Sequence, residues 1–206
     1  MKTSLGLLTS AALACLLIAA CRSQPAALPP MVSKTAPESA HVPSSIGRLA
    51  VVYPHRQSVE LTGTYDRLEG AAFQLKELRP ALRIVDRSNL ELLLNEHRLE
   101  LSGAVSDETA ARVGRLLGVD GILLYRIEGP TYRDRAFAVF RGYLPPVLVS
   151  TKIIMVDSAE VVFHNVVTSA IDDPAADSFW RLDPSVQAAL DRVVAQTITD
   201  LKHAFR

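Results

Sequence analysis

Two groups of residues in this sequence are suited to chemistry by their type and spacing. The first is Ile18-Ala19-Ala20-Cys21. Small residues ahead of a cysteine suit a lipoprotein signal peptidase, and the thiol of Cys21 would then carry a diacylglyceryl group. The second lies in residues 129–146, where Tyr132, Arg133, Arg135, Phe137, Phe140, Arg141 and Tyr143 crowd into one short interval. Aromatic and arginine side chains dominate the energetics of protein–protein contacts, so this interval is the candidate partner-binding surface. An ordered hairpin would present these side chains outward. The same sequence is also compatible with Phe137 and Val139 folding onto the domain's own sheet while the arginines are solvated.

Catalytic patterns are missing by comparison. The histidines His41, His55, His97, His164 and His203 are dispersed along the chain. No H-E-x-x-H pairs two imidazoles for zinc, no G-x-S-x-G raises a serine, and no glycine-rich loop is spaced to cradle phosphate. Asp172, Asp173, Asp177 and Asp183 form an acidic run without the alternating spacing that wraps oxygen ligands around calcium. Asp173 and Asp183 each precede a proline and are read as turn and cap residues, with Trp180 beside Phe179 either a core plug or an exposed anchor. The expectation is a non-enzymatic protein with no catalytic residue, metal or cofactor.

The leader positions everything else. Lys2 supplies a positive charge and residues 6–20 an apolar run of about 15 residues, short of the ~20 a permanent bilayer-spanning helix needs. Residues 1–20 are therefore read as a signal peptide and Cys21 as the lipid anchor; an ordinary secretory signal or an uncleaved anchor is the competing reading. Several acyl chains hold a protein on a membrane where one alone would not. Arg22 stands where an aspartate often marks inner-membrane retention, so likeness to other lipoproteins implies the outer membrane. Cys15 leaves with the leader and Cys21 is consumed by lipid, so no thiol remains for disulfide, metal or nucleophilic chemistry.

Of 206 residues, 49% are hydrophobic, and 22 Lys and Arg balance 22 Asp and Glu. This is the composition of one globular domain with appendages, and it lacks the basic excess by which nucleic-acid binders displace phosphate counterions. Residues 21–47 contain Pro25, Pro29, Pro30, Pro37 and Pro43 among Ser and Ala. They are read as a tether too poor in large apolar side chains to offset the entropy of ordering. The folded domain is expected over 48–206.

Within it, short apolar runs over 48–53, 82–86 and 121–127 read as strands, and 147–156 with 160–171 as two more joined by a turn at Asp157-Ser158-Ala159. Between them, Leu68, Ala71, Ala72, Leu75 and Leu78 share one helical face. Ser88-Asn89-Leu90-Glu91 opens a second helix in the manner of a capping box, and Ser106 caps a third that Gly118 ends. Asp183 and Pro184 begin a last helix along Val186, Leu190, Val193, Thr197, Ile198, Leu201 and Phe205. Strands alternating with helices and then a hairpin predict an α/β fold, a mixed β-sheet with packed helices.

Residues 82–103 (LRIVDRSNLELLLNEHRLELSG) and 110–124 (AARVGRLLGVDGILL) resemble the CsgG family of curli-secretion lipoproteins, which has flagellar and penicillin-binding-protein-activating lipoproteins among its relatives. Asp86, Arg87, Ser88, Asn89, Leu90, Glu96, Gly103, Gly114 and Gly118 match its pattern, with the glycines read as terminating or tightening helices. The resemblance implies a periplasmic α/β domain similar to the TolB N-terminal domain. It also implies a binding, assembly or activator role in an envelope machine, with an envelope protein as partner and a possible homo-oligomer. The departure lies in residues 129–146 and 172–184, which are too short and, in the second case, too acidic for membrane-spanning strand pairs. A subunit of an oligomeric outer-membrane secretion channel is the alternative.

Overall fold

The computed structural model describes residues 32–35, 41–53, 59–85, 106–171 and 184–206. Among these, six strands form one mixed sheet: β1 (Val32–Thr35), β2 (Arg48–Val52), β3 (Arg83–Val85), β4 (Gly121–Glu128), β5 (Val147–Met155) and β6 (Val161–Ser169), in the order β1-β6-β5-β4-β2-β3. β2 runs parallel to both β3 and β4, and β4, β5, β6 and β1 are successively antiparallel. Among the described residues four helices accompany the sheet: α1 (Val59–Leu78), α2 (Asp107–Leu117), α3 (Tyr132–Arg141) and α4 (Pro184–Ala204). The α/β class expected from the alternation of elements is the class observed.

The two sheet faces bury different helices because side chains alternate along each strand. Leu49, Val51, Leu123, Tyr125, Ile127, Val149, Ile153, Phe163 and Val167 point to one side. There they meet Tyr65, Leu68, Ala72 and Leu75 of α1 and Val186, Leu190, Val193, Val194 and Leu201 of α4. Ala50, Val52, Ile122, Ile154 and Val156 point to the other and pack on Ala110 and Val113 of α2. At ~1.5–3 kcal/mol for each large apolar side chain removed from water, the larger cluster is the main source of cohesion. α4 is also pinned by polarity: Asn165 Nδ2 donates to Asp200 Oδ2 at 2.9 Å in the buried layer, and Gln196 Nε2 donates to Asp200 Oδ1 at 2.9 Å.

The ends of α2 form as read. Ser106 Oγ accepts from Thr109 N–H, and Gly118 sits at φ +60°, its N–H returning to Arg115 O. The turn after β5 also falls where expected, with Ala159 at φ +56°. Gly114 differs from its expected role. It ends no helix but clears the sheet, since an added Cβ would lie 2.3 Å from Val156 Cγ2 and 3.1 Å from Ile122 Cδ1.

Packing begins before residue 48. Val42 and Ile46, inside the expected tether, are buried in the larger core, and Val42 N–H donates to Ala204 O at 2.9 Å. Arg79 completes this root: Nε donates to Phe205 O at 3.0 Å, Nη1 to Pro43 O at 3.0 Å and Nη2 to Val42 O at 2.6 Å. β1 also falls within the expected tether and pairs with the last four residues of β6. The expected helix after Ser88, the acidic run Asp172, Asp173, Asp177 and Asp183, Phe179, Trp180, His55, His97 and Cys21 lie outside the described residues.

Candidate functional site

The Arg/aromatic interval folds as a helix, not as the hairpin its side chains suggested. Thr131 and Asp134 bring this about. Thr131 Oγ1 accepts from Asp134 N–H at 3.2 Å, and Asp134 Oδ2 accepts from Thr131 N–H at 2.9 Å, a reciprocal capping box that satisfies orphan donors of the first turn. These bonds to Thr131 hold the Asp134 carboxyl below its ordinary value, opposed by desolvation and assisted less strongly by Arg141. At the other end Gly142, at φ +70°, sends its N–H to Ala138 O. Arg141 lies one turn from Phe137, its guanidinium 5.5 Å from the ring centroid, and its Nη1 is 4.0 Å from Asp134 Oδ1.

The helix turns most of its described large side chains outward. Phe140 is 85% exposed, Tyr143 just beyond the C-cap 60%, and Phe137 50%. Arg133 and Arg141 are exposed beside them, Arg135 is half-buried, and Ala138 is buried against the body. Tyr132 belongs to the first turn, but its side chain lies outside what is described. Phe137 therefore does not fill the protein's own core as the second sequence reading allowed. Exposed aromatics scattered singly are ordinary; three within seven residues, flanked by guanidinium groups, make an anchor-type patch.

The patch sits at a defined end of the sheet. β4 leads into α3 and β5 leads out of it, and Glu128 pairs with Leu148 at this end. Towards this end of the sheet, Tyr53, just beyond β2, stacks on Tyr65 of α1 with ring centroids 4.8 Å apart. Tyr65 Oη accepts from Ile127 N–H at 3.0 Å, where β4 has outrun its neighbour β2. Tyr53 Oη donates to Glu69 Oε2 at 3.1 Å. Burial raises the Tyr65 phenol above its ordinary pKa against the lowering effect of that bond, so it stays protonated. Sequence reading missed this pair. The only signal was that both tyrosines fall at apolar positions, which says nothing of a hydroxyl capping a strand.

The other polar grouping lies on the α2 side of the sheet. His164 Nε2 is 3.5 Å from Ser150 Oγ, and Lys152 Nζ is 3.2 Å from Asp107 Oδ1. Partial burial and the Lys152 charge lower the His164 pKa, with Asp107 acting the other way. The Asp107 carboxylate is engaged by an ammonium, and the serine–imidazole contact is at the long limit of a hydrogen bond, so the group is a cross-strand polar cluster and not an assembled nucleophile. Among the described residues no three His, Cys, Asp or Glu side chains could hold a metal ion, and no described helix is long and apolar enough to cross a membrane.

Comparison with solved structures finds distant likenesses. The PelC dodecamer from Paraburkholderia phytofirmans is 16% identical, with 84% of this chain and 98% of that chain covered and a TM-score of 0.38. The LpoB C-terminal domain from Escherichia coli is 12% identical over 59% and 81% of the two chains, with a TM-score of 0.41. The lipoprotein GNA1162 from Neisseria meningitidis is 16% identical over 75% and 97%, with a TM-score of 0.42. No curated protein matches the chain in sequence. The family model of the curli production assembly/transport component CsgG matches residues 80–129, which contain β3, α2, Gly114, Gly118 and β4, and over that stretch the chain is CsgG-like.

Proposed function

We propose that this chain is a non-enzymatic binding module of the bacterial envelope, held on the periplasmic face of the outer membrane by lipid on Cys21, with α3 as the surface that captures an envelope protein. The observation that carries the reading is the exposure of Phe137 and Phe140 on a helix fixed at both ends, with Tyr143 exposed just beyond its C-cap. A capped helix loses little further backbone freedom when it binds, and aromatic side chains bring large contact area with few rotatable bonds. Arg133 and Arg141 rim the aromatics and favour a partner surface that carries carboxylates around an apolar pocket.

The helix also bears on the channel alternative. A barrel strand needs about 9–11 residues of alternating pattern, and residues 132–141, the centre of the first candidate interval, are helical.

In-cell crosslinking followed by mass spectrometry tests the reading. Wild-type chain should yield one discrete envelope protein, and Phe140→Ala or Arg141→Ala should reduce that yield several-fold. Equal capture by both variants rejects α3 as the interface. Replacing Cys21 by Ser should abolish incorporation of labelled fatty acid and release the protein from the membrane fraction; unchanged fractionation rejects the anchor.

A further inference from the structure

The tether is attached to the body at two places, and they lie at opposite ends of the sheet. The root at Val42 and Pro43 is held by Arg79 and by Ala204 O, beside the start of β2. The second attachment is β1. Val32 pairs with Ser169 and Thr35 with Val166, and Ser169 also pairs with Val147, the first residue after the α3 connection. β1 therefore enters at the α3 end and runs along β6 away from it, towards the end where the root lies.

We infer that β1 is a clip that brings the chain from Cys21 onto the body at the α3 end and so turns the aromatic patch towards the membrane. The inference rests on the reading of Cys21 as the lipid anchor and of α3 as the interface, and it specifies the partner as a membrane-proximal protein. Eleven residue steps separate Cys21 from Val32, which at ~3.3–3.6 Å each allow the α3 end to stand no more than about 40 Å from the lipid attachment. With β1 detached the body would hang from Val42, twenty-one steps from Cys21. The limit would then be about 75 Å, and the opposite end of the sheet would lead. Clipping thus sets both reach and orientation, with no contact between the clip and α3 required.

Main-chain pairing over four residues makes the clip, and it covers four of the nine positions of β6. Proline tests it directly. Successive N–H groups of a strand point to opposite sides, so Ser33→Pro with Lys34→Pro removes one donor aimed at β6 whichever residue supplies it. In the full chain carrying Cys15→Ser and Cys21→Ser, spin labels are placed at Leu28→Cys and at either Pro146→Cys, at the α3 end, or Asp157→Cys, at the opposite end. With β1 intact, the 28–146 separation should be the shorter and narrower of the two. The double proline variant should broaden it and reverse the order. A 28–157 separation shorter than 28–146 in the intact strand, or distributions that the prolines leave unchanged, overturns the clip. These distances do not depend on acylation, so failure of the Cys21 reading would appear in fatty-acid incorporation and leave the strand result standing.

Discussion

Gly114 of α2 lies against Val156 so closely that a methyl group on its Cα would come within 2.3 Å of Val156 Cγ2. The distance between helix and sheet is set here, and Arg115 Nη1 holds it by donating to Val156 O at 3.0 Å. Gly114→Ala must therefore push the helix off the sheet or drive side chains from their rotamers, at a cost of ~1–3 kcal/mol. Gly70, inside α1, has open space around the same position. Gly70→Ala should stabilise by up to about 1 kcal/mol, through helix propensity and a less flexible unfolded chain. Urea unfolding of the two variants should move in opposite directions; equal shifts would contradict the close approach.

Ala159 occupies the left-handed region at φ +56° in the turn between β5 and β6. The turn is otherwise well fixed, with Met155 N–H donating to Glu160 O at 2.9 Å and Glu160 N–H to Ser158 Oγ at 3.3 Å. A Cβ is unfavourable at this conformation. Ala159→Gly should raise stability by ~0.5–1 kcal/mol, while Ala159→Val should lower it, with Asn intermediate. Thermal melts of the three variants provide the check.

How much of this was legible in the sequence depends on where each determinant sits. The α2 helix could be read because its cap, its buried stripe and its terminating glycine all lie within thirteen residues, from Ser106 to Gly118. α3 carries an equally local signal, since Thr131-x-x-Asp134 is a capping box with Asp in place of the usual Glu or Gln. Its aromatic and arginine content masked the cap and suggested a strand. β1 was not legible at all: Val32-Ser33-Lys34-Thr35 has no apolar period, and its conformation comes from main-chain bonds to β6, more than 130 residues away. Val42 is similar. Its burial depends on Arg79 and on Ala204 and Phe205 at the end of α4, partners that no local pattern around a proline-rich stretch encodes.

His164 gives the protein a modest dependence on acidity. Its imidazole is held below the ordinary pKa in the folded state, first by partial burial and then by Lys152. The unfolded chain therefore takes up a proton at higher pH than the folded one, and stability is lost as pH falls from about 6.5 through the lower folded value. Above that window both states are neutral and the group contributes nothing. His164→Gln should flatten the decline in urea midpoint below about pH 6.5 without altering the midpoint at pH 8. An equally steep decline in the variant would place the responsible proton elsewhere.

Arg79 is the side chain on which the attachment of residues 42–43 most depends. Its guanidinium makes three bonds to carbonyls from two remote segments, Phe205 O, Val42 O and Pro43 O, and lies 4.9 Å from the Phe205 ring centroid. Planarity matters because the three donors leave the group in fixed directions that an ammonium cannot reproduce together. Arg79→Ala leaves the three carbonyls to compete for other donors and should cost ~2–3 kcal/mol, in the range of bonds made by charged groups. Arg79→Lys should recover less than half of this. Limited proteolysis separates this local role from a general loss of stability. Cleavage near residues 41–47 should accelerate in Arg79→Ala far more than cleavage within β4 or β5, whereas uniform acceleration would mean that Arg79 supports the whole core and not the root of the tether.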